Sequence, residues 1–157
     1  MRISMQRVGG VLGVCIAALL QATPWVALWG VKPNILFVAL VIVAVSTESI
    51  SMFAGVVVLG TAIAYNVSFI SWGAAVSMLV SCGSFFLVRR LPWRTLMNIV
   101  SVIAVGTAGF YILIAPTYVF QEMSVVLLEV LYNVLIGVGL YVCFAKGDGM
   151  QQGTRRW

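Results

Sequence analysis

Long apolar runs that contain at most one charged residue recur along the whole of this chain. Runs of roughly 17 to 25 residues match the length that an α-helix needs to cross a bilayer core about 30 Å thick. Composition agrees, because 62% of the residues are hydrophobic, 8% are charged and the mean hydropathy is +1.12. Six such helices would use almost all of the 157 residues. The sequence therefore predicts an all-α integral membrane protein, a bundle of six transmembrane helices.

The apolar runs also predict where the spans lie. They fall at about residues 8–29, 34–47, 50–66, 69–88, 97–115 and 124–144. The second run is short, so it either includes the polar flanks Ser46 and Thr47 or is tilted and partly re-entrant between its neighbours. The start of the chain is typical of a signal peptide, but five further spans favour the first helix of a bundle. Residues 1–146 are thus one predicted domain, and residues 147–157 a disordered, basic cytoplasmic tail.

Positive charges lie on one side of this predicted bundle. Of the nine Lys and Arg residues, eight precede the first span, follow the last span or lie between the fourth and fifth spans. Arg89, Arg90 and Arg94 form the middle group, and only Lys32 lies opposite. Because the Lys/Arg bias of short loops sets orientation, both termini are predicted to be cytoplasmic. The net charge of +5 therefore indicates anionic lipids as partners and no nucleic acid, since the charges sit at span ends.

Residue types that carry most catalysis are scarce. The chain has no histidine and one aspartate, and its three cysteines fall in three different predicted spans. The usual transition-metal ligands and any Ser-His-Asp arrangement are therefore missing from the sequence. We expect no enzymatic activity and no metal or cofactor.

Polar and small residues inside the spans are the candidate functional residues. Glu129, Asn133 and Gly137 follow one another at four-residue steps, which places them on one face of the sixth helix. An ionisable group in a span is costly and needs a reason. One interpretation is a ligand, proton or partner contact; the other is a hydrogen bond between helices, with Glu129 reaching outward or protonated. Gly9 and Gly13 begin a small-residue row on the first helix that would allow close approach of another helix.

Four segments in order resemble the rod shape-determining protein MreD family. They are KPNILFVAL from Lys32, TESISMFAGVVVLG from Thr47, SWGAAVS from Ser71 and LLEVLYNVLIG from Leu127, and the resemblance covers about residues 32–144. Tyr132 and Asn133 match the family's tyrosine-asparagine pair. The family commonly ends its third span with an aspartate, where this chain has Asn66; an asparagine keeps the hydrogen bonding and loses the charge.

The resemblance implies a non-catalytic scaffold of the bacterial inner membrane that acts in cell elongation and peptidoglycan synthesis. Partners implied by the family are an MreC-like rod-shape protein and the elongation transpeptidase and glycosyltransferase. The family's fold is also similar to the substrate-binding subunits of energy-coupling-factor vitamin importers, so import of a small molecule is the alternative function. An importer needs a pocket with several convergent polar groups, whereas the predicted outer loops are short and contain few of them.

Overall fold

The computed structural model describes residues 5–23, 27, 30–66 and 71–147 of the chain. Within these ranges the protein is all-helical and has no β-strand, which confirms the predicted all-α class. The helices are α1 (Met5–Ala22), α2 (Ile35–Ser46), α3 (Ile50–Tyr65), α4 (Trp72–Arg90), α5 (Thr95–Ile114), α6 (Pro116–Gln121) and α7 (Met123–Gly147). Apart from Gly147, the predicted tail 147–157 lies outside the described residues.

Helix ends follow local chemistry more closely than they follow the apolar runs. The first helix ends at Ala22, earlier than the predicted residue 29. Ser71 caps α4, because its side chain accepts a hydrogen bond from the backbone N–H of Ala74 at 3.2 Å. The short helix α6 was not predicted; it begins at Pro116, a residue suited to the first helical position because it lacks an N–H. Elsewhere the predicted and observed bounds differ by at most three residues.

Helix α2 occupies the centre of the bundle. It packs against α1, α3, α4, α5 and α7. Eight of its twelve residues are buried, on every side of the helix. A helix that is apolar all round must be enclosed by protein or lipid, and here protein encloses it. Its twelve residues rise only about 18 Å, well short of a bilayer core.

Helices α1, α2, α3, α4, α5 and α7 alternate in direction, which gives the bundle two ends. At the first, the side chain of Gln21 in α1 bonds to the start of α2 at Ile35, and Tyr111 in α5 bonds to Glu129 in α7. We call this the Asn34 end. At the second, the end of α4 contacts the residue after α2 through Arg89, so we call it the Arg89 end. The connection between α4 and α5 also lies there.

Three described helices are long and apolar enough to cross a membrane. They are Trp72–Arg90, Thr95–Ile114 and Met123–Cys143 within α7. Shorter apolar helices are Val8–Ala22, Ile35–Ser46 and Ile50–Tyr65. The chain therefore has the character of a transmembrane helical protein, with a short helix enclosed by longer ones.

Candidate functional site

The predicted stripe on α7 faces the interior of the bundle. Glu129 is 5% exposed, Asn133 is fully buried and Gly137 is also buried. A side chain at Gly137 would collide with Ile103 of α5 and lie 3.5 Å from Val38 of α2. This close approach brings α7 against both helices, so that its polar residues reach their partners without contact with lipid.

Asn133 joins three helices through one amide group. Its side-chain oxygen accepts a hydrogen bond from the backbone N–H of Asn34 at 2.8 Å, and its nitrogen donates to the hydroxyl of Thr107 in α5 at 3.0 Å. Asn34 is the N-cap of α2, since its own side-chain oxygen accepts a bond from the N–H of Phe37 at 3.1 Å. Asn133 therefore fixes the start of the central helix relative to α5 and α7.

The first backbone donors of α2 need partners because the helix begins inside the bundle. Gln21, in the last turn of α1, accepts a hydrogen bond from the N–H of Ile35 at 2.9 Å. Lys32, just before α2, donates through its ammonium to the backbone carbonyl of Gln21. An unsatisfied backbone group in hydrocarbon costs several kcal/mol, so Gln21 stabilises the start of α2 by accepting from one of its free N–H groups.

Glu129 lies one helical turn from Asn133, towards the N-terminus of α7. Its carboxylate accepts a hydrogen bond from the hydroxyl of Tyr111 in α5 and interacts with the Asn133 amide. Tyr118 of α6 stacks on Tyr111 with ring centroids 6.0 Å apart. Tyr65, at the end of α3, also interacts electrostatically with Glu129. The polar residues that bond to one another or to the start of α2 at this end are called the Asn133 network: Gln21, Asn34, Thr107, Tyr111, Glu129 and Asn133.

A second group of polar residues supports the opposite end of α2. Arg89 donates to the carbonyl of Thr47, which follows α2, and to the carbonyl of Phe85 at 3.0 Å. Its guanidinium carbon lies 3.5 Å from the centroid of the Phe85 ring. Asn98 of α5 donates to the carbonyls of Val88 and Leu91 at 3.3 and 3.0 Å, and so caps the end of α4. Both ends of the short helix α2 are thus held by polar groups from its neighbours.

The other predicted residues lie outside the Asn133 network. Tyr132 is partly exposed and takes no part in its described hydrogen bonds. Asn66 is the left-handed C-cap of α3, with φ 47°. Gly9 and Gly13 are open, because a side chain at either would meet no atom of the described structure within 4 Å. Ser49 caps α3, because its side chain accepts a hydrogen bond from the backbone N–H of Met52 at 3.4 Å.

The sequence identified Glu129 and Asn133 as candidate residues of the Asn133 network but did not identify Gln21, Thr107 and Tyr111. Thr107 and Tyr111 are polar residues four apart in α5, the same signal that identified Glu129 and Asn133. Gln21 stood in a segment interpreted as the end of the first span. For each of these three residues, the sequence shows a polar side chain but does not indicate which group it bonds to.

This arrangement is suited to holding helices together, because each polar group of Asn133 and the cap of α2 bonds to another protein group. No family model, no characterised protein and no solved structure was found to match the chain.

Proposed function

We propose that this protein is a non-catalytic membrane scaffold of the MreD type, which acts in bacterial cell elongation and peptidoglycan synthesis. In this proposal it crosses the inner membrane six times with both termini in the cytoplasm. Its partners are an MreC-like rod-shape protein and the transpeptidase and glycosyltransferase of the elongation machinery. Anionic lipids surround its basic end.

The observation that carries the proposal is the hydrogen bond between Asn34 and Asn133. These residues belong to the first and the last of the four segments that resemble the family, and they meet at 2.8 Å in the bundle. A third segment joins them, because Gly60 packs so closely that a side chain there would lie 2.9 Å from Leu36. Segments that are scattered in the sequence thus form one packed unit, which supports a shared structural purpose.

The use of the buried polar groups favours a scaffold over an importer. A ligand pocket needs convergent polar groups that are free to bind the ligand. At the Asn34 end, Gln21, Asn133 and Tyr111 instead bond to other residues of the protein. These bonds position helices, and rigid positioning of outer surfaces is what a scaffold requires.

In the proposed scaffold, small residues on α1 form the surface against which a partner helix packs. Gly9 and Gly13 lie on α1 with open space above them. A surface without side chains permits the backbone of another transmembrane helix to approach closely, which favours packing in lipid. The partner that fits is the single transmembrane helix of the MreC-like protein, lying along α1.

Charge supports the proposed orientation. Arg89 and Arg90 end one candidate span, and Arg94 directly precedes the next. The Arg89 end is therefore the more basic boundary among the described residues, which is the cytoplasmic side by the Lys/Arg rule. Six crossings follow if α1 and α3 cross with their polar flanks, and if α2 crosses while shielded by its neighbours.

Replacement of the chromosomal gene tests both the function and the docking surface. Depletion should make rod-shaped cells round or wide, and restored wild-type protein should reverse this. The double variant Gly9→Leu, Gly13→Leu should remain folded but fail to restore shape or to co-purify the MreC-like protein. Gly139→Leu is the matched control, because Gly139 on α7 also has open space above it. Cells that stay rod-shaped after depletion would overturn the proposal.

The alternative, vitamin import, has its own test. Purified protein is denatured and its small molecules are identified by mass spectrometry. The scaffold proposal expects no stoichiometric organic ligand. A tightly bound vitamin at one per chain would favour the importer instead.

A further inference from the structure

Helices α3 and α4 are antiparallel neighbours whose residues lie in register. The rings of Phe53 and Phe85 stack with their centroids 4.9 Å apart. Towards the Asn34 end, a side chain at Gly73 would lie 3.6 Å from the ring of Tyr65. Each helix advances by the same number of residues between these two contacts, so the heights of α3 and α4 in the bundle can be compared directly. We call the outward sides of these two helices the α3–α4 face.

Polar groups bound the α3–α4 face at both ends. At the Arg89 end, Ser49 caps α3 one turn before Phe53, and Arg89 lies one turn beyond Phe85. At the Asn34 end, α3 stops at Asn66, whose φ of 47° does not continue an α-helix. The first N–H groups and the last carbonyls of α3 have no partner within the helix, so both ends need lipid headgroups or water. The 16 residues of α3 rise about 24 Å between these ends.

The opposite side of the bundle is taller. The 20 residues of α5 rise about 30 Å, and the 21 residues of the candidate span Met123–Cys143 in α7 rise about 32 Å. These two helices match a typical bilayer core of about 30 Å, whereas α3 is short of it by about 6 Å. Helix α2 is shorter still, but its neighbours enclose it, so its length does not set the thickness of the surrounding lipid.

Helix α3 has few ways to hide this difference from the lipid. Its outward side chains are apolar and exposed, among them Ile50, Val58 and Leu59. Tilting would lower the height that α3 spans even further. The sequence has no Lys or Arg between Lys32 and Arg89, so α3 has no long cationic side chain that could reach the headgroups from inside the hydrocarbon. The remaining adjustment on the lipid side is a thinner bilayer beside α3.

We propose that the α3–α4 face binds phospholipids with short acyl chains and thins the bilayer beside it, while the α5 and α7 side contacts lipid of ordinary length. The partner is defined by the length of its chains and not by the charge of its headgroup. This inference rests on the proposed function in one respect, because α3 must cross the membrane.

Quenching of a fluorescent label by brominated lipids tests the proposal. Bimane is attached to Val58→Cys at the middle of α3 or, as the matched control, to Leu135→Cys at the middle of α7; both positions are exposed. The three native cysteines are replaced by alanine in both proteins. The vesicles contain phosphatidylcholine with chains of fourteen or of eighteen carbons, brominated in turn. The shorter lipid should be favoured about two- to fivefold at position 58 and should have no advantage at position 135.

The unmodified protein gives a second measurement, which does not depend on the folding of the labelled variants. It is mixed in detergent with equal amounts of the two phosphatidylcholines, and the lipids that it retains are weighed by native mass spectrometry. More of the shorter lipid should be retained. Equal retention of the two lipids would contradict the proposal.

The quenching results separate failure of this inference from failure of the six crossings. The same lipid preference at both positions, or a preference for the longer lipid at position 58, would overturn the short face and leave the crossings intact. Quenching at position 58 by aqueous iodide would place α3 in water and overturn both. Protection of that position from iodide and from both lipids would show that another chain covers α3, which overturns lipid binding alone.

Discussion

The side-chain oxygen of Asn133 accepts a hydrogen bond from the backbone N–H of Asn34, 99 positions earlier in the chain. A residue of α7 therefore satisfies a backbone donor at the start of the central helix α2. The relationship is needed because α2 is too short to reach water on both sides of a bilayer. Its end groups must be satisfied inside the protein, and Asn133 and Arg89 provide the partners.

Replacement of Asn133 by leucine should loosen the bundle without preventing insertion. The change removes the bonds to Asn34 and Thr107 and adds apolar bulk. Hydrogen bonds between membrane helices contribute about 0.6 kcal/mol each and at most about 1.7, so we expect a loss of about 1 to 3 kcal/mol. Thermal unfolding in detergent measures this loss of stability, and Tyr132→Phe, a change at the neighbouring position, is the control. Melting of Asn133→Leu at the wild-type temperature would contradict the role given to Asn133.

Replacement of Gly106 by alanine should push α5 away from α2. A methyl group there would collide with the ring of Phe37 and lie 2.9 Å from its Cε1 atom. Overpacking of this kind costs about 1 to 3 kcal/mol. Gly109→Ala, three residues further along the same helix, meets nothing within 4 Å and should be neutral or slightly stabilising.

The contact between Gly106 and Phe37 has a second test. Phe37→Leu should restore part of the stability lost in Gly106→Ala, since it shortens the side chain that the methyl group meets. A double-mutant cycle measured by thermal unfolding gives the coupling. Additive losses in the cycle would show that the two residues do not meet.

Removal of the Tyr111 hydroxyl should weaken the packing of α5 against α7. Tyr111→Phe deletes the donor to Glu129, and we expect a loss of about 1 kcal/mol in thermal unfolding. Tyr118→Phe is the matched control, because Tyr118 stacks on Tyr111 and its hydroxyl donates no described hydrogen bond to Glu129. In a Glu129→Leu background, Tyr111→Phe should cause almost no further loss of stability. An undiminished loss there would show that the Tyr111 hydroxyl bonds to a residue other than Glu129.

The arginines at the end of α4 and just before α5 should differ in what they control. Arg90→Gln with Arg94→Gln should reduce the fidelity of topology, read by a reporter fused into residues 91–94, and leave thermal stability nearly unchanged. Arg89→Gln should also lower stability, because it removes the donor to the Thr47 carbonyl. A reporter that remains wholly cytoplasmic in both variants would show that the remaining positive charges suffice.

Much of the architecture follows from the sequence because local rules govern it. Apolar runs predicted where the helices lie, and the four-residue spacing predicted that Glu129 and Asn133 share a face. These statements need only the geometry of one helix. The short helix α6 was missed because its six residues provide too little periodicity to indicate a helix.

Tertiary structure alone decided which polar residues meet. The sequence displayed Asn34, Thr107 and Asn133 as isolated polar residues, each of which a local cap or a neighbouring helix could satisfy. Their pairing depends on how helices pack, since hydrogen bonds need partners within about 3 Å and a sequence contains no distances between helices. The sequence by itself determined an apolar, helical chain, whereas packing determined that the twelve-residue helix α2 lies at the centre and is held at both ends.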